Sequence, residues 1–123
     1  MDTSLLVHDD VVEVVASGMA EFDQCADLVA RLAAELRVRP GFAGLLDVRG
    51  LDYLPNVREA RALADLLVSH RPAFAGRVAI VTQPGAHFGM GRLQTIVASL
   101  HGVPVEAFTM PGQAISWLKT GAA

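Results

Sequence analysis

The stretch Leu45-Leu-Asp-Val-Arg-Gly-Leu-Asp-Tyr-Leu-Pro-Asn-Val-Arg-Glu-Ala60 holds the residues best suited to chemistry. Asp47 and Asp52 are carboxylates on either side of Arg49. Asp47 serves as a general acid or base only with a second polar group in reach, and Asp52 and Arg92 are the partners to consider. The simpler expectation is that Asp47 ends a buried strand and is held by Arg49 or by loop amides, because buried charges are normally paired. Tyr53 and Pro55 precede a helix opened by Asn56. They either pack over the end of the sheet or form the wall of a small pocket there.

A second group is Phe88-Gly89-Met90-Gly91-Arg92, with His87 just ahead of it. Gly89 and Gly91 permit close backbone approach, which serves tight helix-to-sheet packing. The functional alternative is a ligand carboxylate or phosphate held by Arg92 and a helix N-terminus near Phe88. A Gly-x-Gly pair without a third glycine and a following lysine is neither a dinucleotide fingerprint nor a P-loop. The four histidines, His8, His70, His87 and His101, fall in turns and at helix ends. None pairs at i,i+4 on a helix or with a cysteine, so no metal site and no cofactor are expected. Ser4, Ser17, Ser69, Ser99 and Ser116 lack a nucleophile-elbow context. Cys25, the one cysteine, rules out an intrachain disulfide. It sits in an apolar helical pattern as a small buried hydrophobe.

These residues need a scaffold, and 123 residues fit one domain, 1–123. The chain is 52% hydrophobic and 19% charged, richer in apolar residues than an average soluble domain. That balance points to a sheet buried on both faces or to an oligomer interface. A net charge of −3 gives no concentrated basic surface, so nucleic-acid binding is not expected. The start of the chain lacks the features of a signal peptide, and no apolar run approaches the roughly 20 residues of a membrane span. A cytoplasmic protein is the expectation.

Leu5–Val7 and Val11–Ala16 are β-branched runs joined by the polar turn His8-Asp-Asp10, a hairpin signature closed by Ser17-Gly18. Phe22, Cys25, Leu28/Val29, Leu32 and Leu36 form one helical stripe, stopped by Pro40-Gly41. Phe42–Val48 is a central strand, followed by a loop over Arg49–Pro55. Asn56 with Glu59 resembles a capping box at the next helix, which ends near Ser69-His70. Arg77–Thr82 is the clearest strand. Met90, Leu93, Ile96/Val97 and Leu100 mark a third helix. Val103–Phe108 is the last strand, its Pro104 suited to an edge or a strand start. Thr109 is placed to cap a short helix carrying Ala114, Ile115 and Leu118 inward, with 119–123 a frayed tail. The order ββαβαβαβα predicts an α/β fold. Its mixed, mostly parallel sheet has about five strands, the first antiparallel, with four helices packed on it.

In this order the segments resemble the STAS domains, in particular the SpoIIAA-like branch. The resemblance rests on Leu45–Leu54, Glu59-Ala-Arg-Ala-Leu63, Arg77–Val81, Phe88–Arg92 and the Phe108 to Leu118 tail with Ala114 and Trp117 in register. It implies a regulatory interaction module of the kind found among bacterial anti-sigma factor antagonists. In those proteins a serine at the N-terminus of the second helix is phosphorylated. Here Asn56 and Val57 stand at the matching positions, so no hydroxyl is available for phosphorylation.

The reading is a non-enzymatic STAS-like binding module. It recognises a protein partner or a small anionic or apolar ligand at the C-terminal edge of the strands. The ligand-contacting residues would be Asp52, Tyr53, Asn56, His87, Phe88, Gly89 and Arg92. The alternatives are a homodimeric structural domain and a lipid-like ligand binder. A hydrolase or transferase using Asp47, Asp52, His87 and Arg92 ranks last.

Overall fold

A computed structural model of the chain describes residues 1–122. Strands β1 (Asp2–His8) and β2 (Val11–Met19) pair antiparallel. Only Asp9 and Asp10 separate them, both at positive φ. Two consecutive left-handed residues match the twist of a two-residue hairpin, and aspartate tolerates that region better than most side chains. Then come α1 (Phe22–Arg37), β3 (Ala43–Asp52), α2 (Val57–Ser69), a 3₁₀ turn (Arg71–Ala73), β4 (Val78–Val81), α3 (Ala86–Leu100), β5 (Val105–Phe108) and α4 (Pro111–Thr120). The sheet order is β1-β2-β3-β4-β5, and every pair from β2 onward is parallel. The predicted α/β sheet with one antiparallel strand and four helices is therefore observed.

The helices divide unequally between the two faces. Leu28, Leu32 and Leu36 of α1, Leu67 of α2 and Ala98 of α3 pack on Val12, Val14, Leu46, Val78 and Ile80. On the other face α4 alone sets Ala114 and Leu118 against Leu45, Ala79, Val81 and Phe108. It packs on β3, β4 and β5. Leu6, on β1 beyond its reach, is 57% exposed. β3 and β4 are covered on both faces, and this explains their unbroken apolar runs.

Several boundaries differ from the sequence reading. β2 does not stop at Ser17-Gly18. It runs to Met19, and Ser17, Gly18 and Met19 pair with Gly50, Leu51 and Asp52 across a register shift. β3 consequently absorbs Arg49–Asp52, and the expected loop shrinks to Tyr53–Asn56. Gly50 is needed there, because a Cβ would lie 2.9 Å from Ser17 Cβ. α3 starts at Ala86, two residues ahead of Phe88 and close to where the sequence placed it, behind Gly85 at φ 81°. The cap of α4 is Met110, not Thr109, with Pro111 at the first helical position. Lys119 and Thr120 belong to α4, where a frayed tail was expected. Gly121 ends the helix in the left-handed region and donates to Trp117 O at 2.8 Å. Ala123 lies outside the described residues.

Candidate functional site

The C-terminal ends of β2, β3 and β4 meet two turns, Tyr53–Asn56 and Thr82–Gly85. Gln83 ties the second turn to β3 by donating from Nε2 to Arg49 O at 3.0 Å. Asn56 opens α2 as its sequence signal predicts. Its Oδ1 accepts from the Glu59 amide at 2.8 Å, and Glu59 Oε1 accepts from the Asn56 amide at 3.1 Å. The two bonds satisfy two otherwise unpaired donors at once. Asn56 and Val57 are exposed, so the start of α2 is a closed cap on the surface.

Beneath this cap lies an apolar cavity with about 60 Å³ of room for the centres of solvent molecules. α1 contributes Cys25, Leu28 and Val29, β3 contributes Leu46, Val48 and Leu51, and Tyr53 and Pro55 close one side. His87 and Gln94 reach it from α3, and Thr82 from the end of β4. Tyr53 Oη is buried and has no hydrogen-bond partner among the described residues. Burial, and next the Glu59 carboxylate, raise the phenol's pKa. Burial also pushes the Cys25 thiol up to about 11. A thiol so placed stays protonated and unreactive at neutral pH, in keeping with its reading as a small hydrophobe.

The residues named from sequence separate into distinct places. Tyr53 and His87 line the cavity. Asp52 ends β3 and is exposed. Arg92 lies elsewhere, in a groove between α3 and β5 with Thr95, Ile96, Ser99 and Glu106. Its guanidinium carbon sits 6.0 Å from the centre of the Phe88 ring. Gly91 is a true close approach, since a Cβ there would meet Thr82 Cγ2 at 3.1 Å. Gly89 faces open space, and both glycines lie inside α3 rather than in a phosphate-cradling loop.

Asp47 is buried and held by Arg49 as a fork, with Nε to Oδ1 at 3.0 Å and Nη2 to Oδ2 at 2.8 Å. Strand alternation from Ala43 and Leu45 puts it on the α4 face, away from the cavity. The set Asp47, Asp52, His87 and Arg92 is therefore not assembled, and Asp47 lacks the free partner that acid–base work requires. Sequence reasoning missed Cys25, Thr82 and Gln94 as cavity residues. No local signal marks them, because the cavity forms only when α1, α2 and α3 pack side by side over β3 and β4.

Among the described residues, no His, Cys, Asp or Glu cluster of metal-binding size occurs, and no helix is long and apolar enough to cross a membrane. No protein-family model and no curated protein sequence matches the chain. A solved structure does. The anti-sigma factor antagonist from Mycobacterium paratuberculosis is similar over 96% of this chain and 93% of its own, at 16% identity and a TM-score of 0.62. At that identity the likeness establishes the fold alone, and the chain shares the fold of that structure.

Proposed function

We propose that this protein is a non-enzymatic, STAS-like regulatory module of the cytoplasm. It docks a protein partner through the surface around the N-terminus of α2 and lacks the serine switch at that surface. The observation that carries the reading is the closed Asn56–Glu59 cap with apolar side chains exposed around it. Met19 is 77% exposed, Leu54 48% and Val57 57%. Met19 pairs with Asp52 across the β2–β3 ladder, and Leu54 and Val57 follow within a few residues. Three large apolar side chains left exposed at the end of β2, in the turn after β3 and at the start of α2 favour an interaction site there. The likeness in fold to an anti-sigma factor antagonist supports the same direction. Because no hydroxyl caps the helix, docking here is unswitched by phosphorylation at this position.

The test is a calorimetric titration of the purified protein against the anti-sigma factors encoded in the same genome. One of them binds the wild type, Val57→Asp weakens that binding at least tenfold, and ATP produces no phosphoprotein by mass spectrometry. Lack of binding across the panel, or binding indifferent to Val57→Asp, removes the reading.

A homodimer is the second reading, and β1 favours it. β1 is an edge strand whose centre, Ser4-Leu-Leu-Val7, carries neither charge nor proline. Such an edge is open to pairing.

A further inference from the structure

Buried polar groups in folded proteins almost always have hydrogen-bond partners. Tyr53 Oη makes no hydrogen bond of good geometry, although the Glu59 carboxylate lies near enough to act on it, and it is the one buried side-chain polar atom in that state among the described residues. Its ring stands in the wall of the cavity under α2. The rest of that wall is apolar apart from Thr82, His87 and Gln94, and it contains no lysine, arginine or carboxylate. Thr82 is already committed, donating from Oγ1 to Gln83 O at 2.8 Å. A half-open, mainly apolar recess with a few polar groups in its wall is a usual form of a small-molecule site.

Size and charge narrow the occupant. The space of about 60 Å³ is well below the roughly 150 Å³ of a cavity that encloses benzene, so an occupant of about six to eight non-hydrogen atoms enters only in part and stays partly in solvent. That is too small for an extended acyl chain. The absence of lysine and arginine from the wall, where His87 is the one ionisable base, disfavours a carboxylate or phosphate, since a buried charge needs a partner. The phenol's raised pKa keeps it a donor throughout the physiological range. We propose that this cavity is a binding site for a small, uncharged, mainly apolar molecule that presents one hydrogen-bond acceptor to Tyr53 Oη. The site is independent of protein docking, because its walls include none of Met19, Leu54 and Val57.

Two probes of matched shape test it. Cyclohexanone carries an acceptor and methylenecyclohexane does not. Each is titrated at millimolar concentration into ¹⁵N-labelled protein, with amide shifts recorded by NMR. Cyclohexanone shifts the amides of Cys25, Tyr53 and His87, leaves those of Ala114 and Leu118 on the α4 face unmoved, and binds about fivefold to tenfold more tightly than methylenecyclohexane. Tyr53→Phe removes that preference while both probes still enter. Cys25→Met fills the space and abolishes both titrations, its amide spectrum otherwise reporting a folded protein. The proposal is overturned if cyclohexanone produces no localised shifts up to its solubility. It is equally overturned if the shifts fall on the α4 face, or if Tyr53→Phe keeps the preference.

Discussion

A phenol held in a protein interior without a partner costs about 1–3 kcal/mol in desolvation. Tyr53 Oη is in that state when the cavity is empty. Tyr53→Phe should therefore raise the stability of the free protein by about 1 kcal/mol in urea denaturation. A loss of stability would mean instead that ordered water already serves the hydroxyl. Asn56 behaves in the opposite way, because its side chain does form its bond, to the Glu59 amide. Asn56→Ala should cost about 1 kcal/mol, whereas Asn56→Ser should stay within a few tenths. The same denaturation experiment reads both. These two residues also show what a sequence can reveal. The Asn56–Glu59 spacing is a local signal and places the cap correctly. Tyr53 is readable as a pocket wall or as packing, but its unmet hydroxyl depends on α1, which is distant in sequence.

Local signals fail at element boundaries where tertiary contacts decide. Arg49-Gly50 reads as the start of a loop, since arginine and glycine are poor strand residues. They remain in β3 because β2 continues to Met19 and supplies the ladder. The start of α3 is placed two residues late for a related reason. Its apolar spacing becomes regular only at Met90, while Ala86–Gly89 add little to the stripe. At α4, Pro111 is the better marker than Thr109, because proline suits the first helical position. Packing between elements sets further constraints that composition hides. A Cβ on Gly76 would stand 2.6 Å from Phe42 O, a backbone atom that cannot move aside. A Cβ on Gly44 would stand 3.0 Å from the terminal carbons of Leu32 and Leu36, which can. Gly76→Ala should cost about 2–3 kcal/mol and Gly44→Ala about 1 kcal/mol. Equal losses in urea denaturation would contradict this account of the α1–β3 contact and of the turn before β4.

At the scale of the whole molecule, the question is what the two free edges of the sheet meet. β5 is short, only Val105–Phe108, and follows a proline. β1 has seven residues and no protection at its centre. Antiparallel pairing of β1 with a second copy, about a two-fold axis at Leu5, would set Asp2 opposite the second copy's His8 and Ser4 opposite its Leu6. That register joins opposite charges and covers Leu6 on the half of the sheet that α4 leaves open. His8 is held by Glu13 of β2, with Asp9 of the turn nearby, and Asp9 is itself paired with Lys119 of α4. The hydrogen bond to Glu13, and secondarily Asp9, raise the pKa of His8 above its ordinary 6.5. A raised folded pKa means that the imidazolium's contribution is complete below about pH 6.5 and is lost as pH climbs through the higher value. Protonated His8 would face Asp2 of the second copy, so the dimer should be tighter at pH 6 than at pH 9. Leu6→Lys should give a folded monomer at either pH, because two lysines would then flank the axis. Size-exclusion chromatography with light scattering across a concentration series measures all three states. A wild-type protein that stays monomeric at pH 6 and high concentration rules out the β1 edge as an interface between copies and leaves it a solvated strand.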